Sequence, residues 1–145
     1  MTTRADVMRV ARSYIGTPFH HMGRLPGVGM DCSGLLICVG RELGLVAQDF
    51  DVPAYTPTPD GHSMVEWCDA NMTRISQAEM KPGDAILLVV DQHPQHLGIL
   101  GDYPHGGLSI IHAANNASPP RVIETRLMLS RTQRFVAAYR LPGIA

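Results

Sequence analysis

One cysteine stands where a thiol could become a nucleophile. Cys32 follows the glycine-rich segment 16–30 and Asp31, and it opens a run of residues with helical spacing. In the first turn of a helix, unpaired backbone N–H groups and the macrodipole favour a thiolate over a thiol. This position predicts a nucleophile for acyl transfer. A small buried core residue, the usual role of a free cysteine, is the competing interpretation, and position alone does not decide between them.

Two histidines could supply the base for such a nucleophile. His96 begins a segment with strand character, and His112 lies in the next predicted strand. A histidine can act as a general base because its unperturbed pKa lies near neutrality. If the two strands pair, His112 can orient His96 and complete a triad with Cys32. Either histidine alone is more often a surface or core residue, so the prediction depends on the combination.

Other reactive side chains have weaker patterns. Cys38 and Cys68 lie within predicted helix interiors, where nothing lowers a thiol pKa, and three widely spaced cysteines do not predict a disulfide framework. A zinc site from Cys32, His93 and His96 would lack a second close cysteine or a helical histidine pair. No phosphate or dinucleotide loop occurs, so we predict no metal and no cofactor.

The elements that must position these residues divide into helices followed by strands. Amphipathic or capped helical patterns cover residues 3–15, 32–43 and 63–71, whereas glycine and proline predict loops at 16–30 and 46–61. Helices first and a sheet afterwards indicate an α+β fold with helices packed on a mostly antiparallel sheet of about five strands. The predicted strands are residues 85–90, 97–100, 108–113, 121–125 and 135–140.

Composition limits the classes of function. The chain has 145 residues, 45% of them hydrophobic and 17% charged, which predicts a single domain over 1–145. A formal net charge of −1 gives no general attraction for nucleic acid or anionic lipid. No apolar run approaches the roughly 20 residues that span a bilayer, and the N-terminal segment has no signal-peptide core. We therefore expect synthesis in the cytoplasm without membrane insertion.

Taken together, these residues resemble the NlpC-type cell-wall cysteine peptidases, which have a papain-like fold. Within that family the sequence is similar to small members carried by the tails of phages and phage-like gene clusters. Any one of its signatures would be weak, but four in the right order are specific. They are residues 16–19 (GTPF), 31–35 (DCSGL), 81–84 (KPGD) and 96–99 (HLGI), followed by 111–113 (IHA).

The resemblance implies a role for each matching residue. Cys32 would be the nucleophile, His96 the general base and His112 the residue that orients it. Asp31 and Ser33 would meet the free amine of a peptidoglycan stem peptide. The implied reaction is hydrolysis of an amide bond in that peptide, and a phage or phage-like tail, with its other proteins as partners, would carry the enzyme to the cell wall.

One position departs from the family pattern. Phe19 stands where the family usually has tyrosine, so the phenol hydroxyl is absent. If that hydroxyl helps to hold the substrate, the task passes to His20, His21 or a backbone group. A non-catalytic tail or wall-binding module on the same fold is therefore one alternative function. A different amide or acyl-transfer enzyme is another.

Overall fold

The α-helices lie in the first half of the chain. The computed structural model describes residues 1–53, 60–90 and 93–144. Within them the chain forms three α-helices, and α1 begins with a capping box in which Thr3 and Asp6 bond reciprocally. None of the described helices is long and apolar enough to cross a membrane. The helices are α1 (Arg4–Ser13), α2 (Cys32–Glu42) and α3 (Ser63–Asn71), with a short 3-10 helix at Gln77–Glu79.

The second part of the chain forms an antiparallel sheet. Six strands pair in the order β3-β8-β4-β5-β6-β7, and a separate two-stranded hairpin, β1–β2, lies before α2. This arrangement confirms the predicted α+β fold class. The strands are β1 (Arg24–Leu25), β2 (Gly29–Met30), β3 (Thr73–Ile75), β4 (Ala85–Val90), β5 (His93–Asp102), β6 (Leu108–Ala114), β7 (Arg121–Arg126) and β8 (Gln133–Arg140).

The sequence analysis missed the shortest strands. All five predicted strands are present, but β3 and the hairpin, of three and two residues per strand, are too short for a periodic pattern to show. The predicted loop 46–61 has no helix or strand at its described positions, and residues 54–59 lie outside the described residues.

Helix α2 lies against the sheet and is almost entirely buried. Residues 33–40 are all buried, which explains why this helix is apolar around its whole circumference. Alternate strand residues such as Leu97 and Ile99 join the helices in the main core, while Leu88 and Leu100 form a smaller cluster. The nucleophile candidate therefore opens a helix that tertiary packing holds rigidly.

A buried carboxylate fastens α1 to the sheet. Asp84 ends the KPGD turn with a fully buried side chain. It accepts hydrogen bonds from Arg4 Nη1 at 2.8 Å, from the Lys81 backbone N–H at 2.9 Å and from Arg140 Nε at 3.3 Å. The guanidinium groups of Arg4 and Arg140, from opposite ends of the sequence, thus stabilise this turn.

We expect Asp84→Ala to lower the free energy of unfolding by about 3–5 kcal/mol, because it leaves two guanidinium groups without their buried partner. Denaturant unfolding monitored by circular dichroism measures the change. The matched control is Arg9→Ala, which removes an exposed ion pair with Asp6 and should cost at most about 1 kcal/mol. A loss below about 1 kcal/mol for Asp84→Ala would show that the network contributes little.

Candidate functional site

The start of α2 is fixed by the residue before the cysteine. Asp31 Oδ1 accepts from the Gly34 backbone N–H at 2.8 Å and from the Ser33 hydroxyl at 3.1 Å. Its Oδ2 accepts from the Met22 backbone N–H at 2.8 Å. Asp31 is thus the helix N-cap that the sequence predicts, and it also anchors the preceding loop.

Close backbone contacts hold that loop against the helix. A Cβ at Gly34 would overlap the carbonyl oxygen of Gly23, and a Cβ at Gly23 would lie 2.6 Å from the backbone of Gly29. Only glycine fits at these two positions without a shift of the chain. The cysteine therefore sits at a junction with little freedom to move.

The two candidate histidines are in direct contact. His96 Nε2 lies 2.6 Å from His112 Nδ1, and the rings meet edge to face at 83°. If His96 Nε2–H donates to His112 Nδ1, the other nitrogen of His96 keeps its lone pair, as a base requires. The side-chain contact that the sequence suggests is therefore present in the structure.

The sheet opens where the histidines lie. Strands β5 and β6 pair from Ile99 opposite Ile111 to Asp102 opposite Leu108. His96 and His112 come just past the Ile99–Ile111 end of this pairing. His96 pairs instead with Leu88 of the neighbouring strand β4, and His112 pairs with Ile123 of β7.

Cys32 lies beside this opening. Its sulfur accepts hydrogen bonds from the backbone N–H groups of Leu97 and Ser33. Leu97 directly follows His96, so the thiol is placed at the histidine's position on β5. Cys32 is half-buried and packs against the main core.

Burial sets the protonation of all three groups. It raises the pKa of Cys32 to about 11, with a further upward contribution from the charge of Asp31, against the downward effect of the Leu97 bond. It lowers the pKa of His96 to about 3, with a smaller contribution from His112, and it lowers the pKa of His112 to about 4. The resting groups are a thiol and neutral imidazoles.

Burial therefore outweighs the helix N-terminus, and the thiolate that this terminus favours is not the resting form. The helix N-terminus, which by itself favours a thiolate, does contribute a donor through Ser33. The free-energy cost of removing the thiolate from water exceeds the stabilisation that its two backbone hydrogen bonds provide. The proton must leave Cys32 during the reaction.

The remaining predicted site residues surround the start of α2. Ser33 is fully buried and bonded to Asp31, whereas His20 is exposed and His21 is half-buried. Phe19 is half-buried, and its backbone N–H bonds to Pro120 O at 3.0 Å. Their proposed contacts with a substrate remain predictions.

Sequence reasoning missed one charged residue of the site. Arg24 Nη1 donates to Asp31 Oδ1 at 2.9 Å, and its Nε donates to Asp51 at 3.0 Å. An arginine in a glycine-rich loop has no periodic signal. The clue was that an N-cap carboxylate beside a nucleophilic thiol needs a countercharge.

Among the residues whose side chains are described, no group of three or more His, Cys, Asp and Glu side chains could hold a metal ion. The side chain of His93, part of the alternative zinc interpretation, lies outside that described set.

Comparison with known proteins gives structural relatives. The NlpC/p60 domain of the peptidoglycan hydrolase SagA superposes with a TM-score of 0.63 and 25% identity, over 97% of this chain and 100% of that one. NlpC2 from Trichomonas vaginalis gives 0.68 and 18%, over 99% of this chain and 48% of that one. An N-acetylmuramoyl-L-alanine amidase from Bacteroides uniformis gives 0.66 and 12%, over 97% and 99%.

Sequence comparison agrees with the shared fold. A search of curated protein sequences gave no match. The profile of the NlpC/P60 family matches residues 16–136, a span that includes Cys32, His96 and His112. Since this span is most of the chain, the protein belongs to the NlpC/P60 family.

Proposed function

We propose that the protein is a cysteine peptidase that hydrolyses an amide bond in peptidoglycan stem peptides. The observation that carries the proposal is the 2.6 Å contact between His96 and His112, with the Cys32 sulfur bonded to the backbone of the residue after His96. Membership of a family with a peptidoglycan hydrolase among its structural relatives supports the substrate class.

The geometry supports a covalent mechanism in two halves. Cys32 attacks the scissile carbonyl while its proton passes to His96, and the positive end of the α2 helix dipole stabilises the developing oxyanion. His96 then gives the proton to the leaving amine. Water, deprotonated by His96, releases the acyl group and regenerates the thiol. His112 keeps the His96 ring oriented throughout.

The test is digestion of purified peptidoglycan and of a defined stem peptide, with fragments identified by mass spectrometry. We expect new amine and carboxylate termini within the stem peptide. Fragments separated only between sugar and peptide would instead indicate an amidase, the activity named for the Bacteroides relative. No cleavage of either substrate would count against a peptidase.

We expect kcat/KM to show a broad bell-shaped dependence on pH, because Cys32 and His96 together must hold one proton in the active enzyme. Protonation of His96 removes the base, and its lowered pKa places the acid limb below the ordinary value near 6.5. The raised pKa of Cys32 moves the alkaline limb above the usual thiol range. Measured kcat/KM should be level between these limbs, and an acid limb at or above 6.5 would contradict the buried neutral pair.

We also propose that a phage or phage-like tail carries the enzyme to the cell wall. The support is the resemblance of the sequence signatures to tail-associated members of the family. Proteomic analysis of purified particles tests this, since absence from particles and tail subassemblies would overturn it.

A non-catalytic wall-binding module is the second candidate. Two observations favour it, the phenylalanine at position 19 and the raised pKa of Cys32. Such a module would bind peptidoglycan in a pull-down assay and leave it uncut.

A further inference from the structure

Arg24 lies beside the helix cap that precedes the nucleophile. Its side chain is only 12% exposed. Nη1 donates at 2.9 Å both to Asp31 Oδ1 and to the carbonyl oxygen of Gly23. Nε donates at 3.0 Å to Asp51 Oδ1, on the segment that follows α2. One guanidinium therefore joins the loop before the helix, the helix cap and the segment after the helix.

We propose that Arg24 is a positioning residue for Cys32, which fixes the Asp31 cap and neutralises the carboxylate charge beside the thiol. This inference rests on the proposed function, because it assigns Arg24 to the nucleophile of that reaction. It goes beyond the family signatures, none of which includes position 24.

The charge balance around Cys32 explains why neutralisation matters. The charge of Asp31 raises the pKa of Cys32 and the charge of Arg24 lowers it. Cys68 of α3 also interacts electrostatically with Cys32, and its raised pKa keeps it protonated. His96 and His112, whose pKa values are lowered by burial, are neutral at rest. Arg24 thus offsets part of the effect of the Asp31 charge on the thiol.

The geometry requires arginine, not merely a positive charge. Nη1 and Nε of one planar group reach Asp31 and Asp51 together, an arrangement that a single ammonium cannot reproduce. Arg24→Lys should therefore keep much of the charge effect and lose the fixed geometry. Arg24→Gln should lose both.

The experiment measures alkylation of Cys32 by iodoacetamide against pH, with the modified peptide quantified by mass spectrometry. In Arg24→Gln we expect the thiol pKa to rise by about one unit, so alkylation at a fixed pH below it slows by about tenfold. Arg24→Lys should shift it less. Adding Asp31→Asn to Arg24→Gln removes the unbalanced charge and should return the pKa toward the wild-type value.

Arg12→Gln is the matched control. Arg12 also joins two carboxylates, Asp102 at 2.6 Å and Glu124 at 2.9 Å, but Asp102 lies six residues along β5 from His96. This variant should leave the thiol pKa unchanged even if it lowers the melting temperature.

An unchanged thiol pKa in both folded Arg24 variants would overturn the proposal and leave Arg24 a purely structural residue. The proposal would also be overturned if the thiol pKa in the double variant, Arg24→Gln with Asp31→Asn, equalled that in Arg24→Gln alone. Because alkylation needs no substrate, these outcomes are independent of peptidoglycan cleavage. Failure of the wild type to cut peptidoglycan would instead count against the proposed function.

Discussion

Cys32→Ala is expected to abolish release of stem-peptide fragments from peptidoglycan, with a fall in kcat/KM of about 10⁴-fold or more. Alanine offers no atom that can form the acyl-enzyme, and losses of this size follow removal of a covalent nucleophile in other hydrolases. The half-buried position and the good helix propensity of alanine should leave the fold intact. Fragment yield by mass spectrometry and the melting temperature measure the two effects.

The other cysteines provide the control. Cys38 and Cys68 are buried within helices, and the assigned mechanism uses neither. Cys38→Ala and Cys68→Ala should cost stability through the lost packing while activity per folded molecule stays within a few fold. If Cys32→Ala kept more than about a hundredth of the wild-type rate, another group would have to be the nucleophile.

His96→Ala is expected to lower kcat/KM by about 10²–10⁴-fold, because proton transfer from the thiol and to the leaving amine loses its carrier. His112→Ala should cost less, since His112 acts by holding His96 through the 2.6 Å contact. The double variant should be no slower than His96→Ala, because His112 has no function without its partner.

Steady-state rates of the three variants on a defined stem peptide test this non-additivity. His62→Ala is the control, since His62 is exposed at the start of α3 and pairs only with Asp60 and Glu66 among the residues described. If the rate losses of the two single variants multiplied in the double variant, both rings would have to touch the reacting atoms. That result would contradict the orienting role.

Local patterns in the sequence accounted for much of the fold and for the contact between the histidines. Asp31 as an N-cap and the apolar face of α2 are short-range features that a single sequence displays. The contact between His96 and His112 was expected from their places on consecutive predicted strands, although the β5–β6 pairing ends at Ile99 and Ile111, just before the two histidines.

The unpredicted features depend on tertiary packing. The thiol pKa depends on how many atoms surround the sulfur, and burial reversed the expectation from the helix terminus. Arg24 meets Asp51 across the fold, a contact without a sequence signal. Strand β3 exists because Thr73–Ile75 can pair with β8, although three residues carry no pattern of their own.

The backbone bond from Leu97 to the Cys32 sulfur affects how relatives can be compared. It originates from a main-chain N–H, so its presence does not depend on which side chain occupies position 97. Almost any substitution preserves this donor, and proline alone among the common residues would remove it. Other side chains that fill the same buried position can therefore replace Leu97 while the contact stays unchanged, and ranking positions by side-chain identity would overlook it.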